Sequence, residues 1–159
     1  MRTRLYKYLF ISLLTVFGIT GLTGCGDTIE EHNYIGNILV NEYIEVKTNQ
    51  WTWDDGLESY VYTASVKSLT TGVYNDGAVV ASVFVNPETD SERMELLPYL
   101  FTYLAKDDTG AWYTYTETVS CSFSPGYVTF YLQASDRLDS GVMDNYEFKV
   151  SLIGDASLF

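Results

Sequence analysis

The sequence predicts an all-β protein: an antiparallel two-layer β-sandwich, immunoglobulin-like or jelly-roll-like. Three observations predict it. From Ile38 onward apolar residues recur at every second position in short runs, with Gly, Asn, Asp and Pro between the runs. One run, Ala78 to Val85, is apolar on both parities, as a strand covered on each side would be. No stretch after residue 24 carries the 3.6-residue period of an amphipathic helix. About seven short strands that each bury one face need a second layer to bury it against.

The strands follow in order. In the first, Ile44 and Val46 point one way and Tyr43, Glu45 and Lys47 the other. After a loop at Trp53-Asp54-Asp55-Gly56, Ser59 to Val66 places Tyr60, Tyr62, Ala64 and Val66 on one face. Leu69 to Gly77 reads as a Gly-bracketed connection holding a single helical turn around Gly72 to Asn75. Ala78 to Val85 is then the central strand and the most buried one. Asn86 to Glu95 is a polar loop, and Leu96 to Ala105 resumes as one strand whose Pro98 suits an edge or a bulge. Asp107-Asp108-Thr109-Gly110 signals a hairpin into Trp112–Phe123, where Tyr113, Tyr115, Val119 and Cys121 share one parity. Ser124-Pro125-Gly126 has the order a type II turn prefers. It leads to Tyr127–Ala134, with Val128, Phe130, Leu132 and Ala134 inward. The closing strand, Asn145 to Ile153, sets Tyr146, Phe148, Val150 and Leu152 against Asn145, Glu147, Lys149 and Ser151.

The N-terminus is of another kind. Arg2, Arg4 and Lys7 precede an apolar stretch beginning near Leu9, and Leu22-Thr23-Gly24-Cys25 ends it. That is a secretory signal-peptide helix closed by a lipobox, and it is too short and too interrupted for a confident transmembrane helix. Residues 1–24 are therefore expected to be removed and Cys25 to be lipidated, so the only attached group is the N-terminal lipid. Residues 25–37 form a flexible tether, and 38–159 form the β-sandwich domain. Several acyl chains, each buried CH₂ contributing roughly 0.8 kcal/mol, hold a protein at a bilayer durably.

Losing Arg2, Arg4 and Lys7 takes the net charge from −12 to −15. Such an acidic domain is repelled by nucleic acid, so no nucleic-acid partner is expected. Cys121 is then left without a partner in the chain, and its strand parity makes it a buried, inert thiol. Catalytic machinery is hard to assemble. The single histidine, His32, lies in the tether, and neither clustered Cys/His nor a Gly-rich phosphate loop occurs. The chain is read as a non-enzyme, with a carboxylate-based glycosidase as the catalytic alternative.

Two binding possibilities remain. Asp136, Asp139 and Asp144 share one loop with oxygen ligands suited to calcium, although turn chemistry accounts for such residues more simply. Among 14 Tyr and 3 Trp, the residues Trp51, Trp53 and Trp112 are the candidates for a glycan-stacking platform; the competing reading places Trp51 or Trp53 over the core.

The stations Trp51-Thr52-Trp53, Gly77-Ala78-Val79-Val80, Leu97-Pro98-Tyr99, Ser124-Pro125-Gly126-Tyr127-Val128 and Tyr146-Glu147-Phe148-Lys149-Val150 resemble those of small envelope lipoproteins of bacteroidete bacteria. The resemblance spans roughly residues 40–153. It implies a single β-sandwich lipid-anchored at the outer membrane, without an assigned activity or functional residues to carry over. In that group acidic residues after the lipidated cysteine mark export to the surface. Asp27, Glu30 and Glu31 match in part and lack the usual lysine, leaving open which face of the membrane the domain occupies. The expected partners are thus the membrane, through the lipid, and a glycan or another envelope protein, the latter by strand addition.

Overall fold

The computed structural model describes residues 37–106, 109–139, 141–142 and 144–159, which belong to one compact unit, Ile35–Phe159. The lipobox with Cys25, the tether with His32, and Asp107 and Asp108 of the hairpin loop lie outside the described residues.

In chain order the elements are β1 (Asn37–Val46), β2 (Thr52–Asp54), β3 (Ser59–Ser65), α1 (Thr71–Asp76), β4 (Ala78–Val85), β5 (Arg93–Leu96), β6 (Tyr99–Lys106), β7 (Trp112–Ser124), β8 (Tyr127–Ala134) and β9 (Tyr146–Asp155). They make two antiparallel sheets, β1-β9-β4-β5 and β2-β3-β8-β7-β6, packed as a β-sandwich. The first and last strands pair along their whole length, from Asn37 opposite Asp155 to Val46 opposite Tyr146. No helix among the described residues is long and apolar enough to cross a membrane.

Alternation builds the core. Val128, Phe130 and Leu132 project inward from β8, and Phe148, Val150 and Leu152 from β9. Phe130 and Phe148 stack across the sheets, with ring centroids 3.9 Å apart and planes 13° from parallel. Each such side chain, fully removed from water, contributes about 1.5–3 kcal/mol, so this seam is what holds the two layers face to face.

Four local readings change. Ala78–Val85 is not the most buried strand: Ala78 and Val80 are exposed, whereas β9 buries Tyr146, Phe148, Val150 and Leu152 in strict alternation. In β4 both parities are covered only at the centre, Ala81-Ser82-Val83, because a two-layer sandwich has no third layer over the outer face of the rest. Leu96–Ala105 is two strands rather than one. Leu96 ends β5, opposite Ser82 in the four-stranded sheet, and Tyr99 begins β6, opposite Val119 in the five-stranded sheet. Pro98, preceded by a cis peptide bond, sits at the corner between them, where its missing N–H interrupts no ladder. Trp53 and Asp54, read as part of a loop, belong to β2, which pairs with β3. Arg93–Glu95, assigned to the polar loop, already pairs with β4.

The remaining connections follow their chemistry. The Thr70 hydroxyl accepts from the Val73 N–H at 3.1 Å and caps α1. Gly77 ends that helix because a Cβ there would stand 2.7 Å from the Val73 carbonyl oxygen and 2.8 Å from that of Ile153. Pro125-Gly126 closes the β7–β8 hairpin between Ser124 and Tyr127, with Gly126 at φ +82° as the third position of a type II turn requires.

Candidate functional site

Strand β7 carries a carboxylate on its inward face. Residues of odd number from 117 turn toward the interior; Val119 is fully buried and Glu117 is only 6% exposed. A lone buried carboxylate is costly, and tyrosines offset the cost here. The Tyr146 hydroxyl, from the head of β9 in the opposite sheet, donates to Glu117 Oε2 at 2.9 Å. The Tyr115 hydroxyl donates a longer 3.3 Å bond to Oε1. Tyr103, paired with Tyr115 across the β6–β7 ladder, also hydrogen-bonds within this group, to Glu117 and Tyr146. A charged acceptor held by phenol donors thus ties the two sheets together at one end of the sandwich.

The electrostatics follow. Burial, and next the negative charge of Glu117, push the Tyr103 phenol up to about 12. The same two causes, in the same order, push Tyr146 higher still. Both hydroxyls are therefore protonated donors throughout the physiological range.

A cleft of about 490 Å³ opens over this network. Phe84 at the end of β4, Pro87 in the β4–β5 loop, Phe101 and Tyr103 on β6, and Asp144 and Tyr146 at the entry to β9 line it. Phe101 meets Tyr146 edge-on at 5.8 Å and stacks on Tyr103 at 6.2 Å, 12° from parallel. Among the described residues no Lys or Arg lines the cleft. The arrangement offers aromatic surface, a carboxylate at the wall and a second carboxylate behind it. A second cleft of about 440 Å³ lies between β4–β5 and β7, lined mainly by apolar residues such as Val79, Leu97 and Phe123. Cys121 lines it as a free, half-buried thiol, which desolvation raises to about 11 and so keeps protonated and inert.

The three tryptophans do not form one platform. Trp51 is a core residue, 8% exposed, its ring 5.8 Å from Tyr146 and 6.4 Å from Phe148. The turn at Thr48–Gln50 drops it onto the core before β2 begins, so it presents no face to a ligand. Trp53 is half-buried, edge-on to Tyr60 at 5.0 Å, and its indole N–H donates to Asp55 Oδ1 at 2.8 Å. Trp112 is 63% exposed at the β6–β7 hairpin, with Lys106 Nζ 4.4 Å from the centre of its ring.

Nor do the three aspartates converge. Asp136 Oδ1 accepts from the Leu138 N–H at 3.1 Å in a local turn. Asp139 accepts from the Tyr60 hydroxyl, which in turn accepts from the Gly141 N–H at 2.6 Å. Asp144 lies apart, at the aromatic cleft. Among the described residues no group of three or more His, Cys, Asp or Glu is placed to hold a metal ion.

The residue that sequence reasoning missed is Glu117. Its signal was present: it falls on the inward parity of Tyr113, Tyr115, Val119 and Cys121, where a charged residue is out of place. Comparison with known proteins finds no matching family model, no matching curated protein and no matching solved structure.

Proposed function

We propose that this chain is a lipid-anchored envelope protein whose β-sandwich is a non-catalytic binding module, with the cleft beside Tyr103 and Tyr146 as its binding site. The observation that carries the binding reading is the cleft itself: a concavity of about 490 Å³, walled by aromatic rings and built on a hydrogen-bonded buried carboxylate. Apolar walls with a few fixed polar groups are the usual form of a small-ligand site. The anchor rests on Leu22-Thr23-Gly24-Cys25 after a basic and then apolar start, and the envelope location rests on the same signal. Tyrosine hydroxyls already occupy Glu117, which favours a structural and electrostatic role for it over proton transfer to a substrate.

Two measurements test this. Cells fed a tagged fatty acid should label the wild-type chain and not Cys25→Ser; an unlabelled wild type removes the anchor. A thermal-shift panel of soluble sugars, amines and carboxylates on the full chain should find a stabilising ligand whose effect is lost in Tyr103→Leu and weakened in Asp144→Asn. A panel without such a ligand removes the binding reading, and turnover of a glycoside replaces it with the glycosidase.

A second reading has one observation behind it. Strand β6 is an outer edge of its sheet, eight residues long, and it exposes Leu100 at 52% and Leu104 at 67%. An unprotected edge of that kind suits strand addition by a partner protein. Charged substitutions at Leu100 and Leu104 would then release a co-purifying envelope protein that wild type retains.

A further inference from the structure

We infer that the aromatic cleft takes an alkylated ammonium cation, an inference that rests on reading the cleft as the binding site. Phe84, Phe101, Tyr103 and Tyr146 line it, and aromatic faces carry the negative part of the ring quadrupole. The charges at its wall and directly behind it have one sign; Lys149 stands one ring further out, over Tyr43, which stacks on Phe84. Asp144 is at the wall and Glu117 lies behind Tyr103 and Tyr146, while among the described residues no Lys or Arg is in the lining. Neither described ion pair, Arg93–Glu95 or Arg137–Glu58, involves Glu117. A net charge of −12 adds an attractive long-range field for a cation.

The hydrogen-bond network sharpens the choice. Phenols that donate to a carboxylate are polarised, and their rings become richer in electrons. The hydroxyls of Tyr103 and Tyr146 are committed in this way, and the Asn86 amide of the lining donates to Ser91 Oγ at 3.2 Å, which leaves Thr102 and Asn145 as its other uncharged polar side chains. A sugar would need those donors for its own hydroxyls. A bare metal would need several converging oxygens, and among the described residues none are grouped for one. A primary ammonium would bring three N–H groups that each need an acceptor. An ammonium shielded by alkyl groups needs only rings and negative charge, which is what the lining supplies.

The probe is choline, set against its uncharged isostere 3,3-dimethylbutan-1-ol, each titrated into the full chain in non-ionic detergent. Affinity is read by calorimetry and location by amide resonances. The expected result is movement of the Phe101, Thr102 and Asp144 resonances, with choline binding roughly tenfold more tightly than the isostere. Glu117→Gln and the surface variant Asp144→Asn should each weaken choline by about threefold to tenfold and leave the isostere unchanged. Equal binding of the two probes overturns the cation and leaves the cleft as a site for neutral ligands. If neither probe moves those resonances the cation is also overturned, and the ligand panel above decides separately whether the cleft binds anything.

Discussion

The Tyr146 hydroxyl and the Glu117 carboxylate meet at 2.9 Å, one from each sheet, both side chains buried beneath the cleft. Removing the donor should therefore cost more than an ordinary surface hydrogen bond. Tyr146→Phe keeps the ring and its packing but takes a hydrogen bond from a buried charge, a loss of about 1–3 kcal/mol. Urea denaturation should show a lower midpoint with an unchanged slope. Adding Glu117→Gln should recover part of the loss, because the buried charge is then gone.

The same network sets an alkaline limit. Tyr103 is raised to about 12 from an ordinary 10.0, and Tyr146 is raised further. Below pH 10 both phenols are neutral whether the chain is folded or unfolded, and their full contribution to stability is present. Between pH 10 and 12 the unfolded chain releases the Tyr103 proton while the folded one keeps it, so stability falls as pH rises. Melting temperature should be level across neutral pH and drop steeply above 10. In Tyr103→Phe that drop should be shallower.

Trp51 separates packing from polarity. Its ring is buried among Tyr62, Tyr146 and Phe148, yet its Nε1 finds no hydrogen-bond partner among the described residues. Trp51→Ala should cost about 3–5 kcal/mol through the cavity it leaves. Trp51→Phe should cost much less, since it retains aromatic contact and removes an unpaired buried donor whose burial costs about 1–3 kcal/mol. Equal losses in the two variants, measured by calorimetric melting, would mean that the indole N–H is satisfied.

Gly77 is fixed by crowding. An added methyl would fall within 2.8 Å of two backbone oxygens, one in α1 and one in β9, and backbone cannot yield as a side chain tip would. Gly77→Ala should lower stability by about 1–3 kcal/mol. The Tyr103–Tyr146 cleft should be unaffected, so binding of any cleft ligand at low temperature should survive.

What the sequence made legible was the part governed by period. The inward sets of β8 and β9 could be read directly, because each alternates without a break and packs against the other sheet. Parity failed where the backbone leaves the ladder. Trp51 and Trp53 share a parity, but the turn at Thr48–Gln50 precedes Trp51, and only Trp53 sits within β2. The crossing at Leu97-Pro98 is hidden for a similar reason: both flanking segments are strand-like, and nothing local says they belong to different sheets. The cleft was illegible because β4, β6 and the entry to β9 bring its residues together from distant parts of the chain. Only Glu117, behind the cleft, left a trace, as an acid on an apolar stripe. Asp144 looked like a companion of Asp136 and Asp139 because they share a loop, although that loop hands its acids to different neighbours.

The pairing of β1 with β9 fixes where the cleft stands relative to the chain's entry into the fold. Asn37 lies opposite Asp155 at one end of that ribbon, and Val46 lies opposite Tyr146 at the other. Ten residues of extended strand cover about 30 Å. Asn37 and the Tyr146 cleft therefore stand at opposite ends of the ribbon. A reporter group placed on the Asn37 side chain would thus be separated from the cleft by the whole β1–β9 ladder.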